Sequence, residues 1–135
     1  MTLHAMLDSN LCIRVMRDRP PEARMRFEAE DGHLAISTIV LYELEFGVKR
    51  SADPRKQAAT LDMFVALLSV LDFNELASVH TADIKADLTA KGTLIGPNDL
   101  LIAGHARSLG LKLITGNLGE FSRVDGLDCE DWLVP

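Results

Sequence analysis

The stretch Gly96-Pro97-Asn98-Asp99-Leu100-Leu101-Ile102-Ala103-Gly104-His105-Ala106 decides what kind of fold this is. Gly-Pro is turn punctuation, and Pro97 turns Gly96 away from helical geometry. Asn98 reads as a helix N-cap, which puts Asp99 in the first turn. A nearly all-apolar run follows, closed by Arg107 and by Gly110 as a stop. A short helix that is apolar on nearly every side belongs inside a core. So a carboxylate sits at the mouth of a buried helix, held there by the backbone. Alone, such an acid need only complement the helix dipole. Other carboxylates at similar joints open a second reading.

Working outward, the chain alternates short apolar runs with helical patterns. His4-Ala5-Met6-Leu7 reads as a buried strand that ends at Asp8. Ser9 and Asn10 are cap residues for a helix through Leu11-Cys12-Ile13-Arg14-Val15-Met16. Asp8 then lies at the carboxyl end of a strand, where open parallel sheets bind ligands, although a plain N-cap explains it equally. A second helix is expected from Pro21 to about Glu30, and Leu34-Ala35-Ile36 is a second strand. Ser37-Thr38 caps the next helix, in which Ile36, Ile39, Val40 and Leu44 share one face. Glu43 lies on the edge of that face, whereas Glu45 points elsewhere and is placed to pair with Lys49. Further helices are expected through Leu61, Phe64, Val65 and Leu68, and from about Asn74 to Lys91. Ser69-Val70-Leu71 and Lys112-Leu113-Ile114-Thr115 are strands, and Leu127 to Glu130 is a last edge strand. Gly116-Asn117 turns after the fourth strand, Leu118 to Phe121 is a short helical turn or loop, and Trp132 anchors the tail. Strands alternating with helices give an α/β fold: a parallel sheet of four to five strands with helices on both faces. The length of 135 residues suits a single domain spanning 1–135.

Composition excludes several classes. An apolar fraction of 47% with 25% charged residues is that of an ordinary soluble protein. No apolar run is long enough to span a bilayer, and Asp8 interrupts any signal-peptide core, so a cytoplasmic protein is expected. Cys12 and Cys129 are isolated and match no zinc spacing. The net charge of -6 argues against bulk nucleic-acid binding. Basic residues nevertheless gather around Arg14, Arg17, Arg19, Arg24 and Arg26, and again at Lys49, Arg50, Arg55 and Lys56. Arg14, Arg17, Lys49 and Arg50 are the candidates for an RNA backbone; solvated helix faces are the plainer explanation.

Asp8 and Asn117 lie at the carboxyl ends of two expected parallel strands, and Glu43 and Asp99 lie on helices able to close over the same edge. Glu120 is three residues beyond Asn117. Clustered carboxylates repel and raise one another's pKa, and a hard cation relieves that. Oxygen-only ligands without Cys or His spacing suit Mg2+ or Mn2+, ions that activate water for attack on a phosphodiester. No phosphate loop, G-x-S-x-G or H-E-x-x-H is present. His105 reads as a satisfied core histidine.

Four motifs together resemble a PIN-domain ribonuclease, and more closely the VapC toxins of type II VapBC toxin–antitoxin pairs. They are Met6-Leu7-Asp8-Ser9-Asn10, Tyr42-Glu43-Leu44-Glu45-Phe46-Gly47, Ile95 to Ala103, and Thr115-Gly116-Asn117-Leu118-Gly119-Glu120-Phe121. The resemblance runs on to the closing Gly126-Leu127 and Glu130-Asp131-Trp132. It implies that Asp8, Glu43 and Asp99 are the family's three acids, which hold one or two magnesium or manganese ions and a water that attacks RNA. Asn117 stands where many members have a fourth acid, so that ligand is weakened or supplied by Glu120. The resemblance also implies a homodimer, a VapB-type antitoxin that can place an arginine in the acidic pocket, and a structured RNA substrate such as tRNA. Two alternatives fit an acidic pocket on an α/β sheet. One is a non-catalytic binding module on the same fold. The other is a magnesium-dependent phosphatase or receiver-type domain, against which the first strand lacks a paired Asp-x-Asp.

Overall fold

The computed structural model describes residues 2–133; Met1 and residues 134–135, the ends of the expected 1–135 domain, lie outside the described residues. Five strands form one sheet: β1 (Ala5–Leu7), β2 (Leu34–Ser37), β3 (Ser69–Leu71), β4 (Lys112–Ile114) and β5 (Cys129–Glu130). Their order is β3-β2-β1-β4-β5, and every pairing is parallel. The helices are α1 (Ser9–Arg17), α2 (Pro21–Ala29), α3 (Thr38–Lys49), α4 (Pro54–Val65), α5 (Glu75–Ala90), α6 (Pro97–Leu109) and the one-turn α7 (Leu118–Phe121). In the central strands consecutive residues are buried: Ala5, Met6 and Leu7 in β1, and Leu34 through Ser37 in β2. Side chains alternate faces along a strand, so burial at every position means that both faces of the sheet are covered.

Local sequence accounts for most boundaries, with several corrections. The N-cap of α1 is Asp8, whose Oδ1 accepts the Leu11 N–H at 2.9 Å, and Ser9 and Asn10 are already helical. The N-cap of α6 is Gly96 with Pro97 in first position, and Asn98 lies inside the helix. A proline whose φ is preset and whose missing N–H is an orphan anyway starts the helix one residue earlier than the side-chain cap rule suggests. Helix α4 stops at Val65 instead of continuing through Leu68, and β4 and β5 are each shorter than the apolar runs that contain them. Glu45 and Lys49 are both exposed, and no ion pair joins them among the described residues; water competes well for such pairs. Trp132 is buried, with the Arg26 guanidinium 5.3 Å from its ring centroid, so it does anchor the tail.

His105 is a core histidine. It is 1% exposed, and its Nδ1 lies 2.8 Å from Ser37 Oγ, which also accepts the Ile39 N–H at 3.0 Å as the cap of α3. Burial lowers the His105 pKa, which favours the neutral ring in its hydrogen bond with the Ser37 hydroxyl. One serine thereby ties α6 to the start of α3. Ser37→Ala leaves both His105 Nδ1 and the Ile39 N–H without that partner, and is expected to cost about 2–3 kcal/mol. A urea midpoint unchanged from the parent would refute this.

Candidate active site

Parallel topology brings the carboxyl ends of β1 and β4 side by side, with Leu7 in register with Ile114. Asp8 follows β1, and Thr115 and Asn117 follow β4. Asp8 is 5% exposed. Its Oδ2 accepts from Thr115 Oγ1 at 2.5 Å, and Thr115 Oγ1 in turn accepts the Asn117 N–H at 2.9 Å. Burial raises the Asp8 pKa and Glu43 adds to that, while the bonds from Thr115 and Leu11 and the nearby Arg14 oppose it.

Glu43 reaches the same edge from the second turn of α3 and is half-buried. Ser9 Oγ donates to its Oε1 at 2.5 Å, and Asn98 Nδ2 donates to its Oε2 at 3.3 Å. Asp99, third residue of α6, is half-buried and folds back over its own N-cap: a Cβ at Gly96 would lie 3.2 Å from Asp99 Oδ2. Gly96 is thus the residue that leaves space for the carboxylate. Glu120, on α7, accepts from Asn117 Nδ2 at 2.7 Å and lies close enough to Asp99 to raise its pKa.

The electrostatics show how close the acids are. The Asp99 pKa is raised from an ordinary 3.8 to about 7, by burial first, then by Glu120, then by Glu43 and Asp8. Three carboxylates therefore act on Asp99 at the carboxyl edge of the sheet, and Glu43 acts on Asp8 as well. None of the four is in a salt bridge among the described residues. A group of carboxylates without an ion-pair partner among the described residues fits a hard divalent cation in charge and donor type. Among the described residues no three His, Cys, Asp or Glu side chains are drawn together into a finished cage. The donors explain this: Thr115 and the Leu11 N–H hold Asp8, Ser9 and Asn98 hold Glu43, and Asn117 holds Glu120.

Of the five acidic-site candidates, Asp8, Glu43, Asp99 and Glu120 converge, while the Asn117 side chain serves Glu120 and is exposed. Arg14 lies near enough to Asp8 to influence it, and Arg17 lines a groove of about 210 Å3 that opens beside Glu43 between α1, α3 and α4. Lys49 and Arg50 lie on the exposed end of α3, away from the carboxylates. Arg24 and Arg26 are committed to Glu28 and Glu130. Three positioning residues escape a reading of the sequence: Ser9 and Asn98, which read as caps, and Thr115, which reads as the end of a strand. The signal available was adjacency, since each stands within two residues of an acid or of Asn117. Cys12 is buried and Cys129 half-buried, both as free thiols.

The PIN domain family matches residues 5–127. The chain is 43% identical over 130 residues to the tRNA(fMet)-specific endonuclease VapC of Shigella flexneri, covering 96% of this chain and 98% of the relative. It is 41% identical over 131 residues to Ribonuclease VapC2 of Haemophilus influenzae, covering 97% and 99%. Among solved structures, DNA-bound VapBC from Salmonella typhimurium superposes with a TM-score of 0.92 at 43% identity, covering 96% of this chain and 98% of that one. VapBC2 from Rickettsia felis, bound to a promoter DNA fragment, superposes with a TM-score of 0.90 at 34% identity, covering 98% and 99%. With this similarity along nearly its whole length, and with the carboxylates of all four motifs meeting at one sheet edge, the chain belongs to the PIN-domain family, among the VapC ribonucleases.

Proposed function

We propose that the chain is a divalent-metal-dependent endoribonuclease, the toxin of a VapBC-type pair, acting on a structured RNA of the tRNA class. The observation that carries this reading is the unneutralised group of Asp8, Glu43, Asp99 and Glu120 at the carboxyl edge of a parallel sheet. Relatives named as ribonucleases and as a tRNA(fMet)-specific endonuclease support the substrate class.

Asp8, Asp99 and Glu43 would hold Mg2+ or Mn2+, with Asn117 and Glu120 completing the shell. The ion would supply charge neutralisation of the scissile phosphate and a lowered pKa for the attacking water. The chain's own residues do the rest. Thr115 and the α1 backbone fix Asp8, while Ser9 and Asn98 fix both oxygens of Glu43. Such bonds align ligands before the substrate arrives. Glu43 or Glu120 would orient the water and take its proton.

VapBC complexes among the structural neighbours support a VapB-type antitoxin as partner. The groove beside Glu43, lined by Ile13, Met16, Leu44, Val48 and Leu61, is the surface where an apolar antitoxin segment would lie. A homodimer is part of the same reading. No helix among the described residues is long and apolar enough to cross a membrane.

The test is incubation of purified protein with a total tRNA pool, in Mg2+ or Mn2+ and then in chelator. Discrete fragments are expected with metal and none without it. Intact RNA under both conditions, with the folded protein still binding a basic partner, would leave only a binding module. Phosphate release from small esters with RNA left whole would indicate a phosphatase.

A further inference from the structure

The chain holds only seven aromatic residues of the Phe, Trp and Tyr type. Phe27, Phe64, Phe121 and Trp132 are buried and Phe73 is half-buried. The remaining two, Tyr42 and Phe46, are 58% and 52% exposed and lie one turn apart on α3. Residues four apart on a helix are neighbours about 5–6 Å apart, so the two rings form one stripe. Glu43, one of the four clustered carboxylates, lies between them in sequence. The stripe ends in Lys49 and Arg50, both exposed, and the Arg50 guanidinium lies 5.4 Å from the Phe46 ring centroid.

Exposed aromatic rings cost solubility, and burial gives these two no structural reason to be aromatic. A row of π-faces ending in cations is what an unpaired nucleic-acid strand requires: bases stack on the rings and phosphates meet the cations. The alternative occupant is a second copy of this chain. Two aromatics bury about 400 Å2 at most, roughly half of what one partner contributes to a standard stable interface, and the charged end disfavours self-association. Charge also favours the nucleic acid reading. With a net charge of -6 the chain gains little from bulk electrostatic attraction to RNA, so affinity needs a contribution that does not depend on charge, and stacking supplies one.

We infer that Tyr42 and Phe46 form a stacking platform for unpaired bases of the RNA, with Arg50 and Lys49 on the adjoining phosphates. This rests on the nuclease reading and adds to it that the substrate presents a single-stranded loop to α3.

The experiment measures binding of a fluorescent RNA hairpin with an unpaired loop, and of a blunt RNA duplex, in an Asp99→Asn background that prevents cleavage. Tyr42→Leu with Phe46→Leu is expected to weaken hairpin binding about tenfold or more, leave duplex binding unchanged and leave the salt dependence unchanged. Tyr42→Phe with Phe46→Trp keeps the π-faces and is expected to keep the affinity. Arg50→Gln is expected instead to reduce the salt slope by about one. Equal hairpin affinity in the leucine variant overturns the inference. So does a loss of affinity that tracks dissociation of a dimer in sedimentation, which would make the stripe an interface between copies. If the leucine variant binds the hairpin normally while the otherwise wild-type enzyme cleaves tRNA, only the platform fails. If the parent chain neither binds nor cleaves RNA, the nuclease reading fails with it.

Discussion

Asp99→Asn is expected to lower metal-dependent RNA cleavage by about two to four orders of magnitude, while making the metal-free protein more stable above neutral pH. The first effect follows from removing a charge that the proposed site uses to hold a cation against the phosphate. The second follows from the sign of the pKa shift. In the folded metal-free chain the Asp99 carboxyl holds its proton to about pH 7, against an ordinary 3.8. Between those values the folded state binds more protons than the unfolded state, so stability falls as pH rises through that window and stays reduced above it. Asparagine removes the repulsion from Glu120, Glu43 and Asp8. Asp99 is half-exposed, so the gain at pH 8 is set after discounting for solvent, on the order of 1 kcal/mol, or about 4 °C in Tm. Added Mg2+ or Mn2+ is expected to reverse the order, because binding to the folded state stabilises by about 2.7 kcal/mol at a hundredfold excess over Kd, and only the parent chain retains the full site. Thermal melts of both proteins at pH 5 and pH 8, with and without metal, check this. A variant that melts below the parent at pH 8 without metal would show that Asp99 is held by favourable contacts instead of strained by its neighbours.

Gly104→Ala is expected to destabilise the chain by about 3 kcal/mol or more, although alanine is the better helix former by about 1 kcal/mol. Gly104 is buried in α6 and faces Thr81 of α5. A Cβ there would overlap Thr81 Oγ1 and come within 2.8 Å of both Cα and N of Thr81. A hydroxyl could turn aside, but helix backbone cannot, so the two helices would have to separate. Because α6 carries Asp99, separation also displaces a site carboxylate. Thr81→Ala in the same chain is expected to recover only part of the loss, since the backbone contact persists. Urea unfolding of the single and double variants measures it; a single variant with an unchanged midpoint would mean that α5 and α6 pack with slack that this geometry lacks.

Gly104 illustrates the limits of local reasoning. In the sequence it is a small residue within an apolar helix, and nothing nearby says that another helix passes within contact distance. Asn98 teaches the same lesson. Its side chain satisfies the N-cap rule in the linear reading, but Pro97 starts the helix earlier and frees the amide for Glu43 on another element. Thr115 reads as the last residue of a strand, yet its hydroxyl joins Asp8 to the loop of Asn117. The Glu45–Lys49 pair failed for the opposite reason: spacing allowed it, and exposure made it worth too little to form.

The linear sequence determined the alternation of short apolar strands with helices, the burial of the Asp99 helix and the position of Asp8 at a strand end. These depend on periodicity, caps and turn residues, which act over a few neighbours. Helical periodicity set Glu43 on the edge of its apolar face, and the resemblance of four motifs gave it a role. Tertiary structure decided that β1 and β4 lie adjacent, so that Asp8 meets Thr115 from 107 residues away. It also decided that Glu43, Asp99 and Glu120 face the same edge closely enough to push one carboxyl to about pH 7. Mutual repulsion among acids is a property of distance in space, and distance in space is set by the packing of the whole sheet and its helices.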